Sequence, residues 1–322
     1  MEILNKANYT LLVKMFQYGE KELLAMMHGL LKRYYKQIYY NKDHYLVAVG
    51  EDTKIGVVAH CDTVFYKQPS EEDIYYDVYR NVLWSPEGLG ADDRAGIFII
   101  LKLLQYKMRP TVILTLGEES GGLGAQELIK AFPHNEFDLK FLIQLDRRGS
   151  NDCVFYSCDN KEFTKKIESY GFCEKQGTFT DISYIAPAWG IAACNLSVGY
   201  QDEHTRQERL YISDMIQTLK KVRTILKDEP TLQKYEYIES QYQYSSFCEV
   251  GYLAEHCASC GEYVDAAYDG IPVYNKEGKL VYYCPECFSK ICGTLHWCYG
   301  CGMPFLGDNE NNLCTGCLNG EV

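Results

Sequence analysis

The sequence predicts an α/β protein in which a three-layer domain with a mostly parallel sheet is followed by a small, cysteine-rich zinc-binding module. Apolar runs alternate with helical patterns between residues 55 and 226, as expected for parallel strands joined by helices. The run at residues 111–116 is a continuous apolar strand pattern, of the kind found in parallel sheets that are buried on both faces. A chain of 322 residues can bury a full core, and we expect two domains, residues 1–245 and 246–322.

The first third of the chain supplies a helix and five strand-like segments. Apolar residues recur at mostly helical spacing across residues 8–32, which predicts one amphipathic helix. The strand-like segments follow at residues 37–41, 45–49, 55–59, 74–79 and 82–84. The first two predict a hairpin, the third predicts a short strand that delivers His60, and the last two predict an edge hairpin.

Helices and strands alternate through the rest of the α/β domain. Residues 91–106 predict a helix that is apolar nearly all round and is therefore buried. Its N-terminus carries Asp92 and Asp93, where carboxylates suit the helix dipole. Further strands are predicted at 111–116, 141–145, 153–157 and 192–198, and further helices up to about 132, near 160–170, near 181–187 and at 211–226. Residues 228–247, rich in tyrosine, predict a connector or a strap across this domain.

Carboxylates and imidazoles follow the predicted strands in the order His60, Asp62, Glu118, Glu119, Asp146 and His204. In an open α/β sheet, the functional site lies outside the carboxyl ends of the strands, so we expect these side chains to meet at one edge. Oxygen and imidazole ligands together suit zinc, manganese or cobalt.

The number of such residues matches the needs of a site with two metal ions. A two-metal hydrolytic site requires a bridging carboxylate, about two further ligands for each metal, and a base for the attacking water. Asp92 would bridge, His60 and Asp146 would complete one metal, and Glu119 and His204 would complete the other.

Two supporting roles follow from position. Asp62 lies two residues beyond His60 on the same strand face, where it would accept a hydrogen bond from the second imidazole nitrogen. Glu118 and Glu119 are adjacent, so one would bind a metal and the other would take a proton from water. Each residue alone has an ordinary explanation, such as an ion pair between Asp146 and Arg147, and the metal hypothesis depends on their occurring together.

These residues resemble the motifs of the zinc exopeptidases with co-catalytic metals, most closely the tripeptidase T and glutamyl-aminopeptidase branches. The resemblance covers about residues 40–226 and is carried by His60-Cys61-Asp62-Thr63, Gly90-Ala91-Asp92-Asp93-Arg94-Ala95-Gly96, Glu118-Glu119 with Gly124-Ala125, Asp146, Thr180-Asp181 with Gly190, and His204-Thr205 with Glu208. It implies a phosphorylase/hydrolase-like core, a cis Asp92–Asp93 peptide bond, Glu118 as general base and Asp62 as the residue that orients His60. It also implies the metal ligands His60, Asp92, Glu119, Asp146 and His204.

The chain departs from this family in three ways. Only 57 residues separate Asp146 from His204, too few for the lid or dimerisation domain that many relatives insert. Arg94 stands where lysine is common. The C-terminal cysteines do not belong to the family pattern. We therefore do not transfer a relative's substrate to this chain.

The C-terminal cysteines form four Cys-x-x-Cys pairs, a spacing that indicates metal binding rather than disulfides in a cytosolic chain. The pairs are Cys257 with Cys260, Cys284 with Cys287, Cys298 with Cys301, and Cys314 with Cys317. Their eight thiolates match two tetrahedral zinc sites in a zinc-ribbon-like module. Two arrangements remain open: sequential pairing, which we favour because it closes shorter loops, and cross-braced pairing.

Composition limits the partners. The net charge is −12, and residues 249–322 carry ten acidic against three basic residues, so nucleic acid is not expected to bind. We expect the acidic module to contact a protein partner or a second copy of the chain. No apolar run approaches the roughly 18–20 residues of a membrane span, and no signal peptide is evident, which predicts a cytoplasmic protein.

We therefore expect a metallo-exopeptidase with two catalytic divalent metals, an aminopeptidase or small-peptide hydrolase that cleaves a peptide or small amide. Zinc is the expected metal, with manganese and cobalt as alternatives. Two other functions remain open: a deacylase of N-acylated or amino-acid-conjugated small molecules, and a non-catalytic metal-binding adaptor. The presence of Glu118 argues against the adaptor, since such a protein has no need of a base.

Overall fold

A computed structural model of the chain divides into two compact units, Met1–Gln241 and Tyr242–Val322. It describes residues 5–240, 254–261, 263–265, 271–276, 279–291, 294–298, 304–306 and 313. Within these residues, no helix is both long and apolar enough to cross a membrane.

An eight-stranded, mostly parallel sheet forms the centre of the first unit. The strands of this unit are β1 (Ile38–Asn41), β2 (Tyr45–Ala48), β3 (Ile55–His60), β4 (Tyr75–Asp77), β5 (Val82–Trp84), β6 (Thr111–Thr115), β7 (Phe141–Arg147), β8 (Asp152–Val154), β9 (Cys173–Glu174), β10 (Ala193–Ser197), β11 (Tyr200–Gln201) and β12 (Arg209–Tyr211). The main sheet has the order β1-β2-β6-β3-β7-β10-β8-β9. Its central strands β6, β3, β7 and β10 run parallel, so their carboxyl ends meet at one edge.

Helices cover both faces of this sheet. They are α1 (Lys6–Gln17), α2 (Glu20–Leu31), α3 (Ala91–Gln105), α4 (Leu123–Ala131), α5 (Lys161–Glu168), α6 (Ile182–Trp189) and α7 (Ile212–Asp228), with 3₁₀ turns at Glu71–Asp73 and Glu229–Thr231. One apolar core packs α1, α2, α3, α5 and α7 on one face, and a second packs α4 and α6 on the other. Successive side chains of β3 point to opposite faces of the sheet, so Val57 and Ala59 lie in the first core and Val58 lies in the second. The predicted three-layer α/β fold is confirmed.

The single helix predicted over residues 8–32 is wrong, because the chain forms two helices there. Tyr18 and Gly19 adopt extended backbone conformations between α1 and α2. The Glu22 carboxylate accepts a hydrogen bond from the Gly19 N–H at 3.1 Å, as in a capping box that starts a new helix. The Arg94 guanidinium donates to the carbonyl oxygens of Met15 and Tyr18 at 3.2 and 3.0 Å, which satisfies carbonyl groups at the end of α1.

The hairpin predicted at residues 74–84 is present as β4 and β5, and it belongs to a second sheet. This sheet has four strands in the order β11-β12-β5-β4, all antiparallel. Strand β12 leads directly into α7. The segment that joins β11 to β12, residues 202–208, carries His204 and Glu208, so the small sheet fixes both ends of this loop.

The described residues of the second unit form short strands, one helix and a small core. Its elements are β13 (Ala254–His256), β14 (Tyr263–Asp265), β15 (Ile271–Tyr274), β16 (Leu280–Tyr283), α8 (Pro285–Ile291), β17 (His296–Trp297) and β18 (Pro304–Phe305). Strands β13 and β14 pair antiparallel, and β16-β15-β18-β17 form a second sheet. Cys257, Val273, Tyr283 and Cys287 are the buried members of one core cluster, so thiols occupy part of the interior.

Candidate metal centre

Five side chains predicted as metal ligands converge at the carboxyl edge of the central strands. They are His60 at the end of β3, Asp92 in the first turn of α3, Glu119 in the turn after β6, Asp146 near the end of β7, and His204 in the loop after β11. In two three-residue groups, His60 with Asp92 and Asp146 and Asp92 with Glu119 and His204, one ligand atom from each residue lies within 4.8 Å of the others. Asp92 belongs to both groups.

The two oxygens of Asp92 face different partners. Its Oδ1 lies 3.1 Å from His60 Nε2, and that same nitrogen lies 3.3 Å from Asp146 Oδ1. Its Oδ2 lies 3.2 Å from His204 Nε2, which in turn lies 3.0 Å from Glu119 Oε2. One carboxylate therefore stands between two separate clusters of imidazole and carboxylate groups, the position that a bridging ligand would require.

The start of α3 is held so that Asp92 points into this site. Asp92 and Asp93 have non-helical backbone angles, and the peptide bond between them is cis, as the resemblance implies. The wholly buried Glu208 carboxylate accepts hydrogen bonds from the backbone N–H groups of Gly90, Ala91 and Asp92. The Asp93 carboxylate accepts from the N–H groups of His60 and Gly96 at 3.2 and 3.0 Å, which ties α3 to β3.

Asp62 links the two halves of the site. Its Oδ1 lies 3.4 Å from His60 Nδ1, the nitrogen that faces away from Asp92. Its Oδ2 accepts a hydrogen bond from the Glu119 N–H at 3.1 Å. Asp62 therefore contacts both the imidazole of one cluster and the backbone of a ligand in the other, as expected for a residue that orients metal ligands.

Asp146 is positioned by hydroxyl and amide donors. Thr180 Oγ1 and Gln144 Nε2 donate to its Oδ2 at 2.7 and 3.0 Å, and the Tyr200 hydroxyl donates to its Oδ1 at 3.0 Å. Among the described residues, Asp146 forms an ion pair with His60 and with neither neighbouring arginine. Arg148 pairs with Glu203 instead, at 2.9 Å. The ordinary explanation for Asp146, an ion pair with an adjacent arginine, is therefore wrong.

The pKa values of His204, His60 and Asp146 are all raised, which means that the site favours bound positive charge. Hydrogen bonds with Asp92 and Glu119 raise the pKa of His204 to about 11. Burial lowers the pKa of His60, but Asp146, Asp62 and Asp92 outweigh it and hold that pKa well above its ordinary value. Burial and the charge of Asp92 raise the pKa of Asp146 to about 6.

The donor set fits metal ions in place of those protons. Glu119 Oε1 is buried and has no hydrogen-bond partner within the part of the chain that the structure describes. Buried carboxylate oxygens normally have a partner, and a cation on this oxygen would provide one. The two clusters offer imidazole nitrogen and carboxylate oxygen in the proportions found in two-metal hydrolases.

Glu118, the predicted base, lies beside the two clusters. One ligand atom from it lies within 4.8 Å of atoms from His60 and Glu119, and its side chain lines a cleft of about 130 Å³ together with Asp92, Asp146 and His204. Burial, reinforced by the charges of Asp146, Asp181 and Asp92 against that of His60, raises the pKa of Glu118 well above its ordinary value. This carboxylate is therefore a better proton acceptor than an exposed glutamate.

Several residues of the site carried no assigned role in the sequence. Glu208 holds the start of α3, Thr180 and Tyr200 hold Asp146, and Tyr156 and Arg147 line the cleft. The resemblance named Thr180 and Glu208 without giving either a function. The remaining three had no usable signal, because tyrosine and arginine are common and their contacts here join segments far apart in the chain.

A cysteine cluster lies in the second unit. Cys257, Cys260, Cys284 and Cys287 bring their sulfurs within 4.8 Å of one another, and the backbone N–H of Cys287 donates to Cys284 Sγ at 3.4 Å. These are the first two Cys-x-x-Cys pairs, whose proximity is what sequential pairing requires. Cys298 is described and buried, whereas Cys301, Cys314 and Cys317 lie outside the described residues.

No family model and no curated protein sequence matches the chain, but solved structures share its fold. A tripeptidase from Staphylococcus aureus is 14% identical, with a TM-score of 0.57 over 70% of this chain and 98% of the tripeptidase. The aminopeptidase PepT from Bacillus cereus is 15% identical, with a TM-score of 0.53 over 69% and 98%. A TET aminopeptidase from a marine sediment thaumarchaeote is 14% identical, with a TM-score of 0.54 over 69% and 97%. At these identities the similarity shows a shared fold.

Proposed function

We propose that the chain is a two-metal hydrolase of amide bonds, an aminopeptidase or small-peptide hydrolase. The observation that carries this proposal is the position of Asp92, whose two oxygens face His60 with Asp146 on one side and His204 with Glu119 on the other. A network of ion pairs does not require one carboxylate to lie between two equal groups of side chains. A metal pair bridged by one carboxylate does require this arrangement.

Each proposed metal would have three protein ligands. His60, Asp146 and Asp92 would hold one ion, and His204, Glu119 and Asp92 would hold the other. Zinc is the expected ion, with manganese and cobalt as alternatives for the same donor set. When bound, such a pair polarises the amide carbonyl and makes water a better nucleophile at neutral pH.

The chain's own side chains then supply the proton transfer. Glu118 would take a proton from the attacking water and pass it to the leaving amine, a task suited to a carboxylate with a raised pKa. Asp62 would keep the His60 imidazole in the tautomer that presents Nε2 to the metal, because it stands at Nδ1.

The substrate is proposed to be a short peptide or small amide. The cleft that contains Asp92, Glu118, Asp146 and His204 has a volume of about 130 Å³, which supports a small group such as the end of a peptide. The tripeptidase and aminopeptidases of the same fold support cleavage near a free terminus.

A panel of chromogenic substrates tests this function. The protein is freed of metal, reloaded with zinc, manganese or cobalt, and assayed on aminoacyl p-nitroanilides, dipeptides and N-acetylated amino acids. Turnover of the first two groups that depends on metal supports a peptidase. Turnover of the N-acetylated compounds alone would assign a deacylase instead, and no turnover with any metal would contradict the proposal.

The second unit is proposed to hold structural zinc. Cys257, Cys260, Cys284 and Cys287 would form one Cys₄ site, and backbone N–H groups outweigh burial to lower the pKa of the Cys257 thiol to about 6, which favours the thiolate. Cys298, Cys301, Cys314 and Cys317 would form a second. The module has a small core, so it would depend on zinc for stability. Because its sequence is acidic, the module is proposed to contact a protein partner or a second copy.

A further inference from the structure

Among the residues that the structure describes, an arginine in the cleft beside the proposed metal site has no carboxylate partner. Arg147 follows Asp146 at the end of β7 and lines the cleft. Its Nη2 donates to the backbone oxygen of Gln176 at 3.2 Å. Its Nε is buried and has no hydrogen-bond partner among the described residues, and none of the ion pairs found there includes Arg147. A guanidinium offers five donors, so the two Nη groups of Arg147 keep donors for a ligand beyond the bond to Gln176.

The other charges of the cleft already have assignments. Arg148 and Glu203 form an ion pair at 2.9 Å, so these two charges neutralise each other. Asp92 and Asp146 are proposed metal ligands, and Glu118 is the proposed base. Once metal ions neutralise these carboxylates, Arg147 remains as a surplus positive charge on the wall of the cleft.

A second donor stands on the same wall. Asn195 is fixed by two hydrogen bonds with the backbone of Asp146, at 2.9 and 2.8 Å, and its amide also donates to the Tyr156 hydroxyl oxygen at 3.0 Å. Because that oxygen accepts from Asn195, the hydroxyl hydrogen of Tyr156 is directed elsewhere, and Tyr156 lines the cleft. Burial raises the pKa of Tyr156, so the hydroxyl keeps its proton at neutral pH.

We propose that Arg147, assisted by the Tyr156 hydroxyl, binds a carboxylate of the substrate close to the cleaved amide. A planar guanidinium binds a carboxylate through two parallel hydrogen bonds, which gives both charge and geometric selectivity. The substrates are then acidic peptides or amides, a conclusion that rests on the proposed function. The carboxylate is either the side chain of an acidic N-terminal residue or the free C-terminus of a very short peptide.

Equilibrium binding distinguishes these two sources without requiring turnover. The zinc-loaded Glu118→Gln protein, used to prevent hydrolysis, is titrated calorimetrically with two matched pairs of ligands. Glutamic acid α-amide and glutamine amide differ only in the charge of the side chain. Leucyl-glycine and leucyl-glycinamide differ only in the charge at the C-terminus. We expect the charged member of one pair to bind roughly 10- to 100-fold more tightly than the neutral member, as for a hydrogen-bonded charge pair.

Arg147→Gln in the same background should remove this preference and leave the affinity for the neutral member unchanged. Arg147→Lys should keep part of it, because the charge remains while the planar fork is lost. Arg80→Gln is the matched control, since Arg80 is exposed on β4–β5 and its Nε lies 3.8 Å from Asp77. No preference in either pair, or a preference that survives Arg147→Gln, would overturn the inference. If the protein with Glu118 in place shows no turnover but the charge preference depends on Arg147, the proposed function fails while this inference stands.

Discussion

Glu208 offers a quantitative test of how the site is held. It is wholly buried, and its two oxygens accept hydrogen bonds from three consecutive backbone N–H groups, those of Gly90, Ala91 and Asp92. We predict that Glu208→Ala destabilises the metal-free protein because three buried donors lose their acceptor at once.

The size of the effect follows from these contacts. Burial raises the pKa of Glu208 to about 7, so the carboxylate is charged when the assay is run at about pH 8.5. A hydrogen bond to a charged group contributes about 1.5–3 kcal/mol, but water entering the space left by the side chain recovers part of three such bonds. We therefore expect a loss of about 3–5 kcal/mol in the free energy of unfolding, the range seen when one partner of a buried charged interaction is removed. Glu208→Gln should lose less, about 1–3 kcal/mol, because its oxygen still serves two donors while its NH₂ group faces the third.

Urea denaturation of the metal-free protein measures this change without a contribution from metal binding. Glu136→Ala, which changes an exposed glutamate on the same unit, provides the baseline. Because one of the three donors is the N–H of Asp92, both Glu208 variants should also bind catalytic metal about 10- to 100-fold more weakly, as for other groups that orient ligands. A Glu208→Ala protein within 1 kcal/mol of the baseline and with normal metal affinity would refute this reasoning.

Three further outcomes are expected. Glu118→Gln should retain metal and lose about 10²–10⁴-fold in turnover, as for a general base, whereas Glu119→Gln should lose metal instead. Turnover rates per bound metal distinguish the two variants, and metal loss in Glu118→Gln with turnover loss in Glu119→Gln would exchange the two roles. Metal binding at pH 8 should release a proton from His204, whose metal-free pKa is raised to about 11. The stability that its ion pairs contribute is fully present below about pH 6.5 and is lost as the pH rises through 11. Calorimetry in buffers of different ionisation enthalpy should show fewer protons released by His204→Asn, and an unchanged number would contradict this. Cys257→Ser should remove one structural zinc and leave the catalytic metals in place, and unchanged total zinc by elemental analysis would exclude a Cys₄ site there.

Much of the fold was predictable because its signals are local. The runs that became β3, β6, β7 and β10 are mainly apolar, with Gln144 and Asn195 as polar interruptions in β7 and β10, and a mainly apolar run indicates a central parallel strand. The break at Gly19 was missed because helical spacing of apolar residues continues across it. A Gly19-x-x-Glu22 pattern marked the second helix start, and Arg94, far away in the chain, completes the end of the first.

The proposed ligands were accessible from sequence for a different reason. His60 and Asp146 lie at strand ends, and parallel strands bring their ends to one edge whatever the intervening chain does. The supporting residues follow no such rule. Glu208 reaches Gly90 across 118 positions, and Tyr156 meets Asn195 across 39. Such contacts depend on how loops return to the edge, which local patterns do not encode.

The central claim is that Asp92 bridges two metal ions, and anomalous diffraction from crystals of the zinc-loaded protein tests it most directly. We predict two peaks about 3.5–4 Å apart, each about 2.0–2.2 Å from one oxygen of Asp92. His60 and Asp146 should complete the first, and His204 and Glu119 the second. A single peak at this edge of the sheet, or two peaks with Asp92 beyond bonding distance of both, would contradict the account.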